Sequence, residues 1–130
     1  MSVAAVESLW KTIEARSWDD VRRFYSETAE MVWPVSGEFI SGRNGIVAVN
    51  ENYPEGWSIQ ILAIDELADG RIVSRVKVEQ ASKVFFAVSF FTFTRGLIRH
   101  IEEYWATQEE PEPWRNAEVI PGWSRLLGQL

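Results

Sequence analysis

The segment from Lys83 to Trp105, KVFFAVSFFTFTRGLIRHIEEYW, constrains the fold more than any other part of the chain. Two runs rich in β-branched and aromatic residues flank a glycine, a pattern typical of a β-hairpin. Successive side chains of a strand point to opposite faces, so the first run separates into two sets. One face carries Phe85, Ala87, Ser89, Phe91 and Phe93, and the other carries Val84, Phe86, Val88, Phe90 and Thr92. Both sets are mostly apolar, which predicts a strand that is covered on both sides.

The register of this hairpin depends on its turn. A three-residue loop ending at Gly96, with the glycine in the left-handed conformation, pairs Phe93 with Leu97 and places Glu103 opposite Ala87. Glu103 then shares a face with the odd-numbered residues of the first strand. The alternative is a two-residue turn at residues 95 and 96, which slips the pairing and puts His100, Glu102 and Tyr104 on that face. Turn-type preferences favour the three-residue loop.

Composition limits the possible functions. The chain has 130 residues, 46% of them hydrophobic, which predicts one domain with a substantial core. A formal net charge of −6 opposes nucleic-acid binding, which needs a basic surface. There is no cysteine and only one histidine, so neither thiol chemistry nor a zinc site is expected, and no other metal or cofactor is predicted. We find no targeting pattern and no run approaching about 18 apolar residues, so the protein is expected to be cytoplasmic and not to enter a membrane.

The remaining sequence predicts helices, then short strands, a third helix and long strands. The predicted ranges are a helix over about 3–15, a helix after Ser17 with the stripe Trp18, Val21 and Tyr25, strands over 29–33 and 37–41, a helix over 43–52, and strands over 58–67 and 71–80. This order is typical of an α+β domain with helices on one face of a strongly curved, mainly antiparallel sheet. Such a sheet tends to enclose a cavity. We assign residues 1–108 to this domain and residues 109–130 to a tail, whose Trp114, Arg115 and Trp123 are expected to pack over the cavity or across a dimer.

This order, with WPVSGEFISGR at 33–43 and GLIRHIEEYW at 96–105, resembles the nuclear transport factor 2-like superfamily. More narrowly, it resembles the bacterial SnoaL-like branch, which includes polyketide cyclases and lies near ketosteroid isomerase. The resemblance covers residues 5–106. It implies a cone-shaped α+β fold with an internal pocket, and a homodimer formed through the outer face of the sheet.

The catalytic residues of ketosteroid isomerase do not carry over. The resemblance places Trp33, before Pro34, where that family has its general-base Asp. It places Ser89 where ketosteroid isomerase has the protonated Asp of its oxyanion hole. It places Leu9 where that enzyme has the Tyr that donates beside this Asp. Steroid isomerisation by that mechanism is therefore not expected.

Glu103 is the candidate catalytic residue. In the favoured register its carboxylate lies beside Phe85, Ala87 and Trp105, where desolvation would raise its pKa toward the range of a general base. The alternative is a structural carboxylate that pairs with an Arg or accepts hydrogen bonds at the rim of a cavity. His100, the lone histidine, faces away from Ser89, so a Ser-His nucleophile pair is not predicted.

The candidate ligand-binding residues are mainly aromatic and lie on the predicted inner face. They are Trp33, Tyr53, Trp57, Phe85, Ala87, Ser89, Phe91, Ile101 and Trp105. Aromatic side chains could stack on a flat apolar molecule, or could simply fill the core. Ser89 could orient a ligand or bond to the local backbone, and Tyr53 could lie at the entrance or pack at the end of its helix. Three functions remain open: an isomerase, cyclase or hydratase using acid/base chemistry on a hydrophobic or aromatic substrate, non-catalytic binding of such a molecule, and a protein-association module.

Overall fold

Six strands form one bent sheet, and three helices pack against it, in the part of the chain that the computed structural model describes, residues 2–126. The elements in chain order are α1 Val3–Glu14, α2 Trp18–Arg22, β1 Tyr25–Trp33, β2 Glu38–Ser41, α3 Arg43–Asn52, β3 Trp57–Glu66, β4 Ile72–Gln80, β5 Lys83–Thr94 and β6 Leu97–Thr107. This confirms the predicted α+β class with N-terminal helices on a mainly antiparallel sheet.

The strand order is β2-β1-β6-β5-β4-β3, and β1 runs parallel to β6 while all other neighbours are antiparallel. Register shifts interrupt three of the ladders, between β1 and β6, β3 and β4, and β5 and β6. A bulge adds a residue to one strand only, which bends that strand and increases its twist. The bulges therefore help to curve the sheet around the helices.

The apolar stripe of α1 holds this helix on the sheet. Val6, Leu9, Trp10 and Ile13 are all buried, as their spacing predicts. The Ser2 hydroxyl accepts a hydrogen bond from the Ala5 N–H and so caps the first turn. Helix α1 packs against β3 and β4, while α3 packs against β1 and β2. Between them, these two helices cover the concave face.

The end of α2 and the start of β1 differ from the prediction. Tyr25 was assigned to the apolar stripe of the helix, but it is the buried first residue of β1, which begins four residues earlier than expected. The Phe24 carbonyl accepts a hydrogen bond from the Ile98 N–H at 2.9 Å, so the chain joins β6 at this point. This long-range pairing outweighs the weak local preference of a five-residue helix. The strand still ends at Trp33, directly before Pro34, as predicted.

The turn between β5 and β6 also differs from the prediction. Thr94 pairs with Leu97, so the turn has two residues, Arg95 and Gly96, both with positive φ (55° and 80°). Two such residues form the type I′ geometry that matches the twist of a hairpin. The predicted three-residue loop is therefore wrong, and Phe93 pairs with Ile98 instead of Leu97.

A bulge next to this turn restores the predicted face of β6. The pairing passes from Phe93–Ile98 to Thr92–His100, which leaves Arg99 as an extra residue. Beyond it Glu103 lies opposite Ser89, not opposite Ala87 as predicted. The error is two residues along the strand, so the side chain remains on the same face. Glu103 therefore does share the concave face with the odd-numbered residues of β5.

The described tail, residues 109–126, forms a loop closed by an ion pair. Arg125 donates to both carboxylate oxygens of Glu110 at 3.1 Å, and turns at residues 112–115, 116–120 and 120–123 lie within the loop. Trp114 is 60% exposed, with the Arg115 guanidinium 5.9 Å from its ring centroid. The packing of the tail on the domain or on a partner stays a prediction. Within residues 2–126, no helix is both long and apolar enough to cross a membrane.

Candidate functional site

A cavity of about 400 Å³ lies between the helices and the concave face of the sheet. Six of the side chains that line it are aromatic: Trp10, Trp33, Tyr53, Trp57, Phe85 and Trp105. Val49, Ile59 and Val78 add aliphatic surface, and Asn50 and Thr107 are the remaining lining residues. No charged side chain within the described part of the chain lines this cavity. The walls therefore favour an apolar molecule with flat surfaces.

Tyr53 and Phe85 form the outer part of the wall. Their rings pack edge to face, with centroids 6.4 Å apart, and the Tyr53 hydroxyl donates to Gln80 Oε1 at 3.0 Å. The Gln80 side chain in turn donates to the Pro54 carbonyl at 2.6 Å. Tyr53 is 41% exposed, so it lies at the entrance, one of the two positions considered from the sequence.

Arg16 holds Trp57 in place on the other side. The residue adopts a positive φ of 59° at the break between α1 and α2, and its guanidinium lies 3.3 Å from the centroid of the Trp57 ring. It donates to the Trp57 carbonyl at 2.6 Å and to both carboxylate oxygens of Glu55. The guanidinium thus joins the break in the helices to the start of β3, which fixes this wall of the cavity.

Glu103 belongs to a polar row on an otherwise apolar face. Ser74, Ser89 and Glu103 lie side by side across β4, β5 and β6. All three side chains are buried. Trp10 of α1 donates its indole N–H to the Ser74 hydroxyl at 3.0 Å, which satisfies one end of the row. The helix is thereby tied to the sheet at the level of Glu103.

Three donors converge on the Glu103 carboxylate, which is 6% exposed. The indole N–H groups of Trp33 and Trp105 both donate to Oε1, at 3.1 and 2.8 Å, and the Ser89 hydroxyl bonds to Oε2 at 2.6 Å. An indole can only donate, so Oε1 cannot carry a proton in this arrangement. A proton on Glu103 would therefore be on Oε2, facing Ser89. The carboxylate thus accepts hydrogen bonds and is not paired with an arginine among the described residues. Its catalytic role stays a prediction.

Burial is the main influence on the charge of Glu103. It raises the pKa of this carboxyl above its ordinary value, and the hydrogen bonds from Ser89, Trp105 and Trp33 offset the effect only in part. Tyr25 is also buried, and desolvation followed by repulsion from the Glu103 carboxylate raises the pKa of its hydroxyl. Both groups therefore favour their neutral forms more than exposed residues would.

Glu103 does not line the large cavity. It lines a separate void of about 10 Å³, close to the volume that holds one water molecule, together with Tyr25 and Leu9. Trp10, Asn50 and Trp105 line both spaces, so the void adjoins the cavity at these three side chains. Of the three, Trp105 is the most exposed to solvent, at 37%.

The predicted ligand-binding residues divide into two groups. Trp33, Tyr53, Trp57, Phe85 and Trp105 line the cavity. Ala87, Ser89, Phe91 and Ile101 do not line it, and each is buried at the level of the void or in the core. The reason is that Leu9 and Ile13 of α1 and Ile46 of α3 reach Phe91 and Ile101 around the void and fill that end of the concave face. These four residues therefore lie outside the cavity lining, and their contact with a ligand stays a prediction.

Six lining residues were not predicted from the sequence: Trp10, Val49, Asn50, Ile59, Val78 and Thr107. Trp10 was assigned to the core stripe of α1, although the same spacing also points it at the concave face. Asn50 follows the buried Ile46 by four residues and Val47 by three, and these spacings put it on the inward side of α3. A polar residue on the inward side of a helix could therefore have been recognised from the sequence as a candidate binding residue.

Metal-binding side chains do not cluster in the described structure. Within residues 2–126 no group of three or more His, Asp or Glu side chains could hold a metal ion. His100 lies on the face opposite to Ser89, with Nδ1 3.7 Å from the Glu30 carboxylate. From the opposite face of the sheet its side chain cannot serve Ser89 as a base.

Solved structures with the same fold come from several bacteria. One is a Kribbella flavida protein provisionally assigned as a ketosteroid isomerase, with a TM-score of 0.82, 23% identity, and coverage of 98% of this chain and 90% of that one. Another is a protein of unknown function from Burkholderia xenovorans described as NTF-2 like, with a TM-score of 0.76, 22% identity, and coverage of 95% and 93%. A third is an epoxide hydrolase of M. tuberculosis, with a TM-score of 0.66, 17% identity, and coverage of 80% and 81%.

These similarities extend over most of each chain at low sequence identity, so they establish the fold and not the activity. No protein-family model matches the chain, and no curated protein matches it. Helices packed on a curled six-stranded sheet and the similarity to these structures agree with the resemblance found in the sequence. The chain therefore has the nuclear transport factor 2-like fold.

Proposed function

We propose that this protein binds a small hydrophobic or aromatic molecule in the cavity between its helices and its sheet. The observation that carries the proposal is the cavity itself, about 400 Å³ in volume and lined by six aromatic side chains. That volume is within the range of about 300–1,000 Å³ that is usual for small-molecule sites. A protein-association module would be better served by a filled interior.

The walls are suited to holding a flat ring. Trp33 and Trp105 donate their N–H groups to one oxygen of Glu103, so both indoles are fixed by the same buried group. Ring faces held in this way can stack on a bound aromatic molecule, at about 0.5–1.5 kcal/mol per pair beyond the burial of apolar area. Fixed side chains also lose less entropy when a ligand binds.

Acid/base chemistry by Glu103 is a second candidate function, of the isomerase, cyclase or hydratase type associated with the SnoaL-like branch. Its support is a buried carboxylate with a raised pKa, which is bonded to the Ser89 hydroxyl and lines a void that shares three lining residues with the cavity. Two of the structures with the same fold are named as an isomerase and as an epoxide hydrolase. Tyr53, by contrast, uses its hydroxyl on Gln80 and is less available to orient a substrate.

Binding can be tested with the uncharged fluorescent probe N-phenyl-1-naphthylamine. Titration of the protein is expected to give saturable fluorescence with one site per chain. Val49→Trp, which fills the cavity, should abolish the signal, whereas Val35→Trp adds the same ring at an exposed position and should leave the signal unchanged. Thermal unfolding of each variant checks that it is folded. Absence of saturable binding, or equal binding by both folded variants, would contradict the proposal.

The catalytic candidate needs a substrate, which native mass spectrometry of co-purified molecules could supply. Glu103→Gln keeps an acceptor oxygen for both indoles but cannot exchange a proton at neutral pH. It should therefore abolish turnover of that molecule while leaving the fold and the binding intact. Full activity of the variant would remove Glu103 from the mechanism.

We also propose that the outer face of β5 pairs with a second copy of the chain. Val84, Phe86, Val88 and Phe90 are only half-buried there, and Phe90 packs edge to face on Tyr104 with centroids 6.4 Å apart. Half-buried apolar residues in one row are typical of a homodimer interface. Sedimentation equilibrium of the wild type and of Val88→Arg tests this. A dimer that Val88→Arg converts to monomers is expected, and a monomeric wild type would contradict it.

A further inference from the structure

Asn50 is a polar residue on the inward side of α3. Its neighbours on that side, Ile46 and Val47, are each 1% exposed, whereas the Asn50 side chain reaches both the cavity and the water-sized void beside Glu103. A leucine would fit such a position and bury more apolar area. An amide here therefore calls for a hydrogen-bonding explanation.

The amide of Asn50 makes no hydrogen bond to any side chain or carbonyl among residues 2–126. Its helical neighbour Asn52 behaves differently, because its Nδ2 donates to the Ala48 carbonyl at 2.9 Å. Asn50 accordingly offers two N–H donors and one carbonyl acceptor to whatever occupies the cavity.

Most other polar groups of the lining already make hydrogen bonds within the protein. Trp33 and Trp105 donate to Glu103, Trp10 donates to Ser74, and Tyr53 donates to Gln80. The indole N–H of Trp57 has no hydrogen-bond partner among the described residues, but this atom is fully buried and so is not exposed to the cavity. Apart from Asn50, only Thr107 remains, and it lies exposed at the outer end of the cavity. Asn50 is therefore the inner polar contact of the site.

The absence of charged side chains in the cavity lining, among the described residues, limits which ligand groups can lie beside Asn50. No charged side chain in the described chain lines the cavity, and Glu103 lines the adjoining void. A carboxylate placed there would lose its hydration without gaining a cation, and would be repelled when Glu103 is ionised. A neutral oxygen, by contrast, requires only one donor.

We propose that Asn50 is a specificity-determining residue that donates a hydrogen bond to a neutral carbonyl oxygen on an otherwise apolar ring molecule. The proposal rests on the proposed binding function and names its ligand class: a ketone, ester or lactone, as opposed to a hydrocarbon or a carboxylic acid. The ligand enters with its carbonyl end toward the void and leaves its apolar rings between the aromatic walls.

Two ligands of nearly equal shape test this, 2-acetylnaphthalene and 2-ethylnaphthalene. Their dissociation constants are measured by displacement of N-phenyl-1-naphthylamine from the wild type, Asn50→Leu and Asn52→Leu. The two molecules differ in hydration, so the quantity compared is the ratio of their dissociation constants in each protein. A single hydrogen bond has a net value of about 0.5–1.5 kcal/mol, so Asn50→Leu should shift the ratio roughly 2- to 13-fold toward the ethyl compound.

Asn52→Leu should leave the ratio at its wild-type value, because that amide does not line the cavity. Asn50→Asp should also lose the preference, since a carboxylate cannot donate to a carbonyl. An unchanged ratio in Asn50→Leu would overturn the proposed role of Asn50 while leaving the binding function intact. Failure of both naphthalenes and of the probe to bind the wild type would overturn the binding function, and this proposal with it.

Discussion

The buried Glu103 carboxyl should make the protein less stable as the pH rises. Its pKa in the folded state is above the ordinary value of 4.5, with burial as the largest cause. A raised pKa means that the folded protein binds the proton more tightly than the unfolded chain does. The stability that Glu103 contributes is therefore fully present below about pH 4.5 and is lost as the pH rises through the folded-state pKa. Each unit of difference corresponds to about 1.4 kcal/mol.

Two substitutions distinguish the effect of the Glu103 proton on stability from the effect of the Glu103 hydrogen bonds. Glu103→Gln does not titrate, and it can keep all three bonds, since its carbonyl accepts from Trp33 and Trp105 and its amide donates to Ser89. Glu103→Leu leaves all three groups without their partner. The cost is roughly 1–3 kcal/mol for the buried Ser89 hydroxyl and less for the partly buried indoles, or about 2–4 kcal/mol in total relative to Glu103→Gln.

The assay is urea unfolding of the wild type and both variants between pH 4 and pH 8. Other carboxyls, such as those of Glu55, Asp69 and Glu110, titrate alike in all three proteins, so they cancel in the differences. The stability of Glu103→Gln relative to the wild type should increase with pH, and Glu103→Leu should be less stable than Glu103→Gln throughout. A difference between wild type and Glu103→Gln that is flat, or that changes in the opposite direction, would refute the reasoning.

Three smaller predictions follow from single contacts. Gly96→Ala places a side chain at a φ of 80° and should lower the free energy of unfolding by about 1–2 kcal/mol, measured in urea; an unchanged value would contradict the type I′ turn. Arg16→Lys keeps the charge but loses the two-pronged bond to Glu55, so probe affinity should fall, whereas equal affinity would show that Trp57 needs no such support. Ser89→Ala removes a donor from Glu103 and should raise its pKa further, seen as a carboxyl shift by NMR; a lower pKa would contradict the assignment.

Local patterns predicted the parts of the fold that depend on local interactions. The stripe of α1 and the range of α3 follow from periodicity, and the β3–β4 hairpin follows from Asp69 and Gly70. The parallel pairing of β1 with β6 could not be read in this way, because it depends on residues about 70 positions apart. The same long-range pairing moved Tyr25 from the predicted helix into a strand.

The face of β6 that carries Glu103 was predicted correctly, although the turn between β5 and β6 was not. A two-residue turn alone would have put Glu102 on the concave face, and the extra residue Arg99 reverses that effect. Bulges have no reliable signature in a single sequence, so this agreement depended on two compensating differences. The residue pattern of β6 alone therefore did not determine which of its faces is concave.

Which concave residues line the cavity could not be decided from strand periodicity. Phe85 and Phe91 lie on the same face of β5, but only Phe85 lines the cavity, because side chains of α1 and α3 fill the space around Phe91. That outcome depends on how two helices cross the sheet, which the strand sequence does not contain. Asn50 could have been found, because its spacing from Ile46 is local.

A crystal structure of the protein with N-phenyl-1-naphthylamine tests the central claim most directly. The account predicts that the aromatic rings of the probe lie in the cavity, in contact with Trp33, Phe85 and Trp105. Density for the probe on the outer face of the sheet, at Phe86 or Phe90 and not in the cavity, would contradict it.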